Sequence, residues 1–393
     1  MSKELDLGDL GFDRGAHLLV RRELRRIAVG DALHVRGSAP ELGVHLRAWC
    51  RAQGHETAQE DGRLTIIRGS VEDGRWRGAE RAGTAASGSA VQHPPAHWGL
   101  AARGATVEAG APAFHFALHD RDVVWADEAA SLYAQAAAAQ WDPSTAIEWN
   151  TPFELPPDVE DAVVQVMTYL IENETAALLV PARFVAQLHP HFREVMQLLA
   201  IQTADEARHI EVFTRRALLR RPELGLSTAG GQASLKTLVD EPDFTIASLL
   251  LSVLGEGSFL SLLWFLHRNA PDPVTRDVAR LAAQDEARHV AFGLAHLRHH
   301  VEQDPGLRSR LHAAIHRRHD ALRHTSGLNE EVFDALVLLA AGSWAPDAIA
   351  AGWNAVQELV RDMDEGRRKR LERLGFSTEN ASALSKLHTR NFM

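Results

Sequence analysis

A five-residue segment, Asp-Glu-Ala-Arg-His, occurs twice in the chain, as Asp205–His209 and as Asp285–His289. Each copy contains a Glu and a His three residues apart, and residues at this spacing lie on one face of a helix. Each copy would therefore point a carboxylate and an imidazole in the same direction. Two such pairs, with one Glu from each of two further helices, form the ligand set of a dinuclear metal site in a four-helix bundle.

The first of the two further glutamates can be located from the turn that precedes the first repeat. Glu174 lies 16 residues before Pro190, and Glu206 lies 16 residues after it. Because residues equidistant from the turn of two antiparallel helices lie at the same height, this hairpin would bring the two carboxylates together. Glu172 competes for the same role. We prefer Glu174 because apolar residues surround it at helical spacing, namely Met167, Leu170, Ile171, Leu178 and Pro181.

The second further glutamate follows from the same argument. The second hairpin turns near Pro271, and Glu256 and Glu286 lie 15 residues on either side of it. Glu256 is the single acid in the otherwise apolar or small run Ile246–Leu266. A hydropathy scan could assign this run to a membrane span, but a lone buried carboxylate costs several kcal/mol unless something compensates it. A buried core helix that supplies Glu256 to a metal explains both the run and the acid.

The Asp-Glu-x-Arg-His signature resembles that of the ferritin-like non-haem di-iron oxygenases, which include bacterial multicomponent hydroxylases and acyl-carrier-protein desaturases. The resemblance covers residues 141–300 and implies two irons held by six side chains, which are Glu174, Glu206, His209, Glu256, Glu286 and His289. It also implies an outer layer in which acids bond the outer ring nitrogens of the histidines and arginines pair with the acids. The acids are Asp205 and Asp285, and the arginines are Arg208 and Arg288.

The proposed ligands suit iron or manganese, since carboxylates and imidazoles are hard-to-borderline donors. Zinc is disfavoured because the chain has a single cysteine, Cys50, and no His-Glu-x-x-His motif. The resemblance implies a monooxygenase-like di-iron oxidoreductase that uses O2 to hydroxylate or N-oxygenate a small organic substrate. Electrons would come from an external ferredoxin or reductase. The expected cofactor is two Fe ions, with a Mn/Fe pair as the alternative.

Several positions depart from the relatives and narrow the activity. Phe213 stands where the ribonucleotide reductase radical subunit carries its tyrosine, which argues against a stored tyrosyl radical. Phe259 and Leu260 stand where hydroxylases and desaturases often place a proton-relaying threonine, leaving Ser252 or Thr203 as substitutes.

The alternative function is a ferroxidase or peroxide-reducing iron protein of the ferritin–rubrerythrin type. A metal-free scaffold is the third class.

Composition bounds the partners and the compartment. The chain has 393 residues and a net charge of −10, which argues against nucleic acid as a general partner. A single cysteine and the N-terminal sequence Met-Ser-Lys-Glu-Leu-Asp, which is unlike a signal peptide, favour a cytoplasmic protein with no membrane partner. The oligomeric state is open, and a homodimer is one arrangement.

The expected fold class is mainly α, a ferritin-like four-helix bundle with extra C-terminal helices, plus a small N-terminal α/β two-layer sandwich of order βαβαββ. The expected domains are residues 1–70, a linker and irregular segment at 71–125, and the bundle with its extension at 126–393. In the N-terminal domain the pattern predicts strands at 5–7, 32–36, 55–59 and 64–68, helices at 15–27 and 40–53, and a hairpin turn at Asp61-Gly62.

The N-terminal domain resembles the TusA-type sulfur carriers. The matching residues are Leu5–Leu7, Val29–Asp31, Trp49-Cys50 and Gly54–Glu56. The family's Cys-Pro reads Phe12-Asp13 here, so the resemblance implies a relative that cannot form a persulfide at that place. We interpret this domain as a docking or dimerisation module, with Cys50 as a buried small hydrophobic residue.

The remaining segments give weaker signals. Residues 72–92 are rich in Gly, Ala, Ser and Arg, which is typical of a flexible linker. Trp141 and Trp149 follow a predicted helix at 127–140 and are candidates for a wall of the active-site cavity. Beyond His300 the pattern predicts helices at 329–341, 345–363 and 367–374, and the histidines between 296 and 319 are interpreted as exposed or helix-face residues.

Overall fold

The computed structural model of the chain describes residues 3–60, 63–325 and 330–387. These residues divide into two compact units. One comprises the described residues up to Ala82 together with Gly104–Ala113, and the other comprises Gly83–Arg103 and the described residues from Phe114 onward. The chain is mostly helical, with a small sheet in the N-terminal unit. This confirms the predicted fold class at that level. The segment 71–125, expected as linker, is shared between the two units.

The N-terminal unit contains the predicted order of strands and helices. Its elements are β1 (Lys3–Asp6), α1 (Ala16–Leu24), β2 (Ala32–Arg36), α2 (Leu42–Ala52), β3 (Glu56–Glu60), β4 (Arg63–Ile67), a short α3 (Val71–Arg75), and the paired strands β5 (Glu80–Arg81) and β6 (Thr106–Val107). The main sheet has the order β1-β2-β4-β3, with β1 parallel to β2 and the other pairs antiparallel. The predicted turn at Asp61-Gly62 lies outside the described residues.

The core of this unit lies between the sheet and the two long helices. Alternate residues of β2, Leu33 and Val35, are buried, as expected for a half-buried strand. Val20 of α1 and Leu46 of α2 pack in the same cluster. Cys50 belongs to it and is fully buried, which agrees with its interpretation as a small core residue.

The second unit consists mainly of helices. They are α4 (Arg121–Val124), α5 (Ala129–Ala138), α6 (Pro157–Val185), α7 (Arg193–Ala217), α8 (Ala229–Val239), α9 (Phe244–Ser248), α10 (Gly257–Asn269), α11 (Pro273–Gln303), α12 (Leu307–Leu322), α13 (Glu330–Ala341), α14 (Pro346–Arg373) and α15 (Thr378–Lys386). Leu249–Glu256, between α9 and α10, is a π-helix, here called the π segment. Helices α6 and α7 pack against each other, as do α10 and α11, and α7 also contacts α11.

The turns of both hairpins contain the prolines that the sequence pointed to. A single 3₁₀ turn, Pro190–Phe192, joins α6 to α7. At the second turn Asp272 caps α11, since its side chain accepts from the N–H of Thr275, and Pro273 occupies the first helical turn. Both turns therefore stop one helix and start the next within a few residues.

The apolar helix that carries Glu256 is buried. By length and composition Phe244–Asn269 could span a membrane, but 83% of its apolar window is buried inside the protein. The bent pair of α13 and α14, at 118° to each other, passes the same test only when the two are taken together. Burial on all sides explains the continuous apolar run, as the sequence predicted for a core helix.

Two sequence expectations at the C-terminal side were wrong. The two helices predicted at 345–363 and 367–374 are one helix, and α14 runs unbroken through Gly366 because one glycine costs an α-helix only about 1 kcal/mol. His296 and His300 are buried, not exposed. The ring of His296 packs 4.8 Å from that of Phe244 and stacks on Phe292.

A buried charge network fixes the ends of three helices that carry the site. The Arg216 guanidinium, near the end of α7, lies 2.7 Å from Glu160 at the start of α6 and 2.7 Å from Asp272 at the start of α11. Its Nε donates to the Thr275 hydroxyl at 2.7 Å. All four residues are buried. Because both acids depend on one arginine, the network sets the relative heights of α6, α7 and α11.

We predict that Arg216→Met lowers the free energy of unfolding by about 3–5 kcal/mol, because it leaves two buried carboxylates without their partner. Denaturant unfolding followed by circular dichroism measures the loss. Arg221→Met is the matched control, since Arg221, in the segment that follows α7, pairs with Asp161 of α6 at the solvent-exposed surface. Equal losses in the two variants would show that the buried network has no special role.

Candidate metal centre

Six acidic and histidine side chains from both hairpins converge in the second unit. Their carboxylate oxygens and ring nitrogens form two groups, in each of which the candidate ligand atoms lie within 4.8 Å of one another. The first group is Glu174, Glu206, His209 and Glu286, and the second is Glu206, Glu256, Glu286 and His289. Glu206 and Glu286 belong to both groups. The arrangement is therefore able to bind a pair of metal ions.

Each of the two shared glutamates turns one carboxylate oxygen towards His209 and the other towards His289. Glu206 places Oε2 3.1 Å from Nδ1 of His209 and Oε1 3.0 Å from Nδ1 of His289. Glu286 places Oε1 3.4 Å from Nδ1 of His209 and Oε2 3.5 Å from Nδ1 of His289. Both carboxylates thus lie between the groups, in the position of bridging ligands, while Glu174 and Glu256 belong to one group each.

Six polar atoms of the cluster are buried without a hydrogen bond of good geometry, which is the main argument for a cation. The six residues are at most 3% exposed. The six atoms are Glu174 Oε1, Glu206 Oε1, Glu256 Oε2, both carboxylate oxygens of Glu286, and His289 Nδ1. Buried polar atoms in proteins are nearly always satisfied. A pair of cations bound to these atoms would satisfy them, so the residues fit the metals that the sequence predicted.

The electrostatics of the cluster point the same way. Burial, together with the charges of Glu206 and Glu286, raises the pKa of Glu174 well above its usual value. Burial and Glu286 have the same effect on the pKa of Glu256. Burial opposes charging of His209, but the neighbouring acids, Glu174 first, raise its pKa well above the ordinary value. Protons thus compensate the excess negative charge, and divalent cations would displace them.

The outer ring nitrogen, Nε2, of each histidine is bonded to the aspartate of the other repeat. His209 Nε2 lies 3.2 Å from Asp285 Oδ2, and His289 Nε2 lies 3.3 Å from Asp205 Oδ2. Each repeat therefore orients the histidine of the other repeat. A carboxylate on the far nitrogen fixes the ring so that Nδ1 faces the cluster.

An arginine closes this outer layer. Arg208 donates to Asp205 at 2.6 Å and to Asp285 at 2.8 Å, so it joins the acids of both repeats. Arg288 pairs with Asp285 and donates to the carbonyl of Gln284 in its own helix. The two aspartates therefore lie against the histidines and both arginines pair with aspartates, but the two arginines are not equivalent.

Two residues that follow α5 complete the layer. Trp141 donates its indole N–H to Asp285 at 2.8 Å, and the Arg208 guanidinium lies 4.6 Å from the centre of the indole ring. Gln140 donates to Asp205 at 2.8 Å and accepts from Arg208 at 2.6 Å. Trp141 was predicted as a cavity wall, whereas Gln140 was missed because nothing in its own segment marks it.

Glu256 has two polar partners besides the cluster. Gln202 donates to its Oε1 at 2.9 Å. The Ser252 hydroxyl lowers the pKa of Glu256 against the larger effects of burial and Glu286. Gln202 was missed, although it precedes Glu206 by one helical turn and so shares its face. Of the two relay candidates, Ser252 is at the site, whereas Thr203 bonds the carbonyl of Leu199 in its own helix.

The π segment ends at Glu256, and α11 approaches it closely. A Cβ on Gly293 would lie 2.2 Å from Cβ of Ser252, so this approach requires glycine. π-helical turns are rare and occur mostly at functional sites. The local widening of the helix and the glycine opposite it together bring Ser252 against Gly293 and Glu256 into the group that contains His289.

No family model matches the chain, and no curated protein matches it. Among solved structures, a mutant of an R2-like ligand-binding oxidase with an anaerobically reconstituted Mn/Fe cofactor is 19% identical, with 67% of this chain and 93% of that chain covered and a TM-score of 0.44. The R2-like ligand-binding oxidase from Sulfolobus acidocaldarius is 16% identical, with 64% and 92% covered and a TM-score of 0.42. Similarity at this level does not assign a function to the chain.

We predict that Glu206→Ala and His289→Ala abolish iron loading, because each removes a ligand atom from the buried cluster. Glu174→Ala is expected to weaken it strongly. Metal content per chain after anaerobic loading with Fe(II), determined by mass spectrometry, is the measurement. Glu172→Ala is the control, since Glu172 lies two residues from Glu174 but lines an open groove with Thr175 and Lys236. Unchanged iron content in Glu206→Ala would contradict the ligand assignment.

Proposed function

We propose that the protein is a di-metal oxidoreductase that uses dioxygen to oxidise a small organic substrate. The observation that supports this most is the closed cluster with two shared carboxylates. Six protein ligands leave coordination positions open on a pair of iron or manganese ions. The finer assignment, hydroxylation or N-oxygenation in a ferritin-like di-iron enzyme, rests on the Asp-Glu-x-Arg-His resemblance.

The side chains around the cluster have separable roles. Bound metal ions would supply the redox chemistry that activates dioxygen. Glu206 and Glu286 would hold the ions next to each other, and Asp205 and Asp285 would keep the histidine rings in one orientation. Arg208 compensates the charge of both aspartates. Burial of all six ligands limits water at the site, which strengthens the electrostatic interactions within it.

Ser252 is the best candidate for moving a proton at the centre. Ser252 is 3% exposed, and its hydroxyl lowers the pKa of Glu256 against the larger effects of burial and Glu286. A hydroxyl both donates and accepts, so it can pass a proton to or from the carboxylate. The family's threonine position is occupied by Phe259, which is packed in the core. We therefore assign the relay to Ser252 and not to Thr203.

A ferroxidase or peroxide-reducing function is the second candidate, and one observation favours it. The six cluster residues are at most 3% exposed, so the candidate ligands are closed off from solvent. Fe(II), dioxygen and peroxide are small enough to reach a closed cluster by brief local openings, whereas an organic substrate needs a larger path.

Isotopically labelled dioxygen distinguishes the two functions. In an oxygenase, one oxygen atom of O2 enters the substrate and the other leaves as water, with two electrons from the external donor and two protons. The protein is loaded anaerobically with Fe(II), then exposed to labelled O2 with a ferredoxin, its reductase and a panel of small hydrocarbons and amines. We expect labelled product and O2 uptake, both lost in Glu206→Ala and retained in Glu172→Ala.

Other outcomes of the same experiment overturn the proposal. Oxidation of many Fe(II) ions per chain without a labelled product would establish the ferroxidase alternative. Loss of added peroxide without a labelled product would indicate peroxide reduction. Failure of the protein to take up iron at all would leave only the scaffold function. Each of these results is read in the same samples by product mass spectrometry, O2 uptake and Fe(II) consumption.

For the N-terminal unit we propose a docking or dimerisation role without sulfur chemistry. Cys50 is fully buried, and burial raises the pKa of its thiol to about 12. Phe12, at the position of the carriers' cysteine, contacts Trp49 edge-on at 6.0 Å. Neither position presents a reactive thiol.

We predict that Cys50 in the native protein reacts with a thiol reagent roughly a thousandfold more slowly than a free cysteine, because three pH units separate the raised pKa from the ordinary value of 9.0. Absorbance of a chromogenic disulfide reagent measures the rate. The unfolded protein is the control and should react at the ordinary rate. Fast labelling of the native protein would restore the possibility of thiol chemistry.

A further inference from the structure

The helix that carries Glu256 changes its hydrogen-bond pattern next to that residue. The N–H of Gly257 donates to the carbonyl of Ser252, five residues back. In an α-helix it would donate to Val253, four residues back. The Val253 carbonyl thus loses its α-helical donor at the end of the π segment, and a buried carbonyl requires another partner.

Arg370 of α14 provides that partner. Its Nε donates to the Val253 carbonyl at 2.7 Å. The guanidinium also lies against the backbone of Gly257, since a Cβ there would be 2.3 Å from the Arg370 Cζ atom. Gly257 therefore lacks a side chain where the arginine needs the space. Helix α14 contacts both α10 and the π segment, which holds the arginine in place.

The surroundings of Arg370 are unfavourable for a charged group. Its Nη2 atom is buried without a hydrogen-bond partner, and among the described residues no carboxylate pairs with it. Burial, followed by the charges of Arg367 and Arg373, lowers the pKa of Arg370 to about 9. Arg370 as a whole is half-buried, but its Nη2 end lies away from solvent, and a guanidinium buried in this way without a counter-charge destabilises a fold. Arg370 is thus poorly explained by stability alone, and its contact with the Val253 carbonyl indicates another role.

We propose that Arg370 is a positioning residue for the metal centre: by holding the Val253 carbonyl it keeps the π segment in register and so directs Glu256 towards Glu286 and His289. The role deepens the proposed function and rests on it. One residue corresponds to about 100° around an α-helix. If the segment returned to α-helical hydrogen bonding, Glu256 would rotate by about 100° relative to one end of the helix. The Glu256 carboxylate would then leave the second group.

The two groups predict a selective effect, because Glu256 belongs only to the second. In Arg370→Met we expect one ion per chain to bind as in the unchanged protein, through the group that contains Glu174 and His209. The second ion should bind about tenfold to a hundredfold more weakly, as is typical when a partner of a metal ligand is removed. Arg370→Lys keeps one donor on a flexible stem and should recover part of the affinity.

Anaerobic titration of the full chain with Co(II) measures this, because the visible absorption of Co(II) reports both the number of ions and their coordination geometry. The expected result is two ions per chain in the unchanged protein, and loss of the second spectral component in Arg370→Met. Arg373→Met is the matched control, since Arg373 is exposed on the same helix one turn later. It should leave both components unchanged.

Each result supports or overturns the proposal. If the unchanged protein binds two ions and Arg370→Met binds both with the same affinity and spectrum, the positioning role is wrong while the metal centre stands. If the unchanged protein binds no Co(II), both the metal centre and the positioning role are wrong. Should Arg370→Met not fold, Gly257→Ala displaces the guanidinium without removing it. Gly257→Ala must then show the same selective loss, and two unaltered spectral components in it would overturn the role.

Discussion

The concentration of buried negative charge is the constraint on which the rest of this structure depends. Four carboxylates lie within reach of two imidazoles, and none of these six residues is more than 3% exposed to solvent. Such a group is unstable unless cations or protons compensate it. The surrounding framework therefore has to be rigid enough to hold the acids together. The Arg216 network fixes the helix ends, and the outer aspartates and Arg208 fix the histidines.

The two halves of the cluster are related by sequence but differ in their surroundings. Glu174 sits on a regular α-helix, and its Oε1 has no hydrogen-bond partner. Glu256 ends a π segment and has Gln202 and Ser252 as partners. A metal ion in the second group would thus meet a ligand held by three interactions, including the one we assign to Arg370. The two ions of a bound pair would have different affinities and different freedom to change coordination.

The sequence was sufficient to locate the cluster because helices are regular. The spacing within each repeat and the equal distances to Pro190 and Pro271 place Glu174 beside Glu206 and Glu256 beside Glu286 with no tertiary information. It was not sufficient for Gln140 or Arg370. Gln140 meets Asp205 from 65 residues away, and Arg370 meets Val253 from 117 residues away. Neither contact has a periodic signal, and the π segment cannot be recognised in a run whose residues are apolar on every face.

The crossed bonds between the repeats explain why the repeated segment has to contain all four polar residue types. Asp205 orients His289, and Asp285 orients His209, so neither repeat has a correctly held histidine without the other. The glutamate of each repeat extends to both histidines, and Arg208 joins the two aspartates. A change in one repeat therefore disturbs the ligands of both ions. The two hairpins thus share one set of acids and arginines around the ligands of both groups.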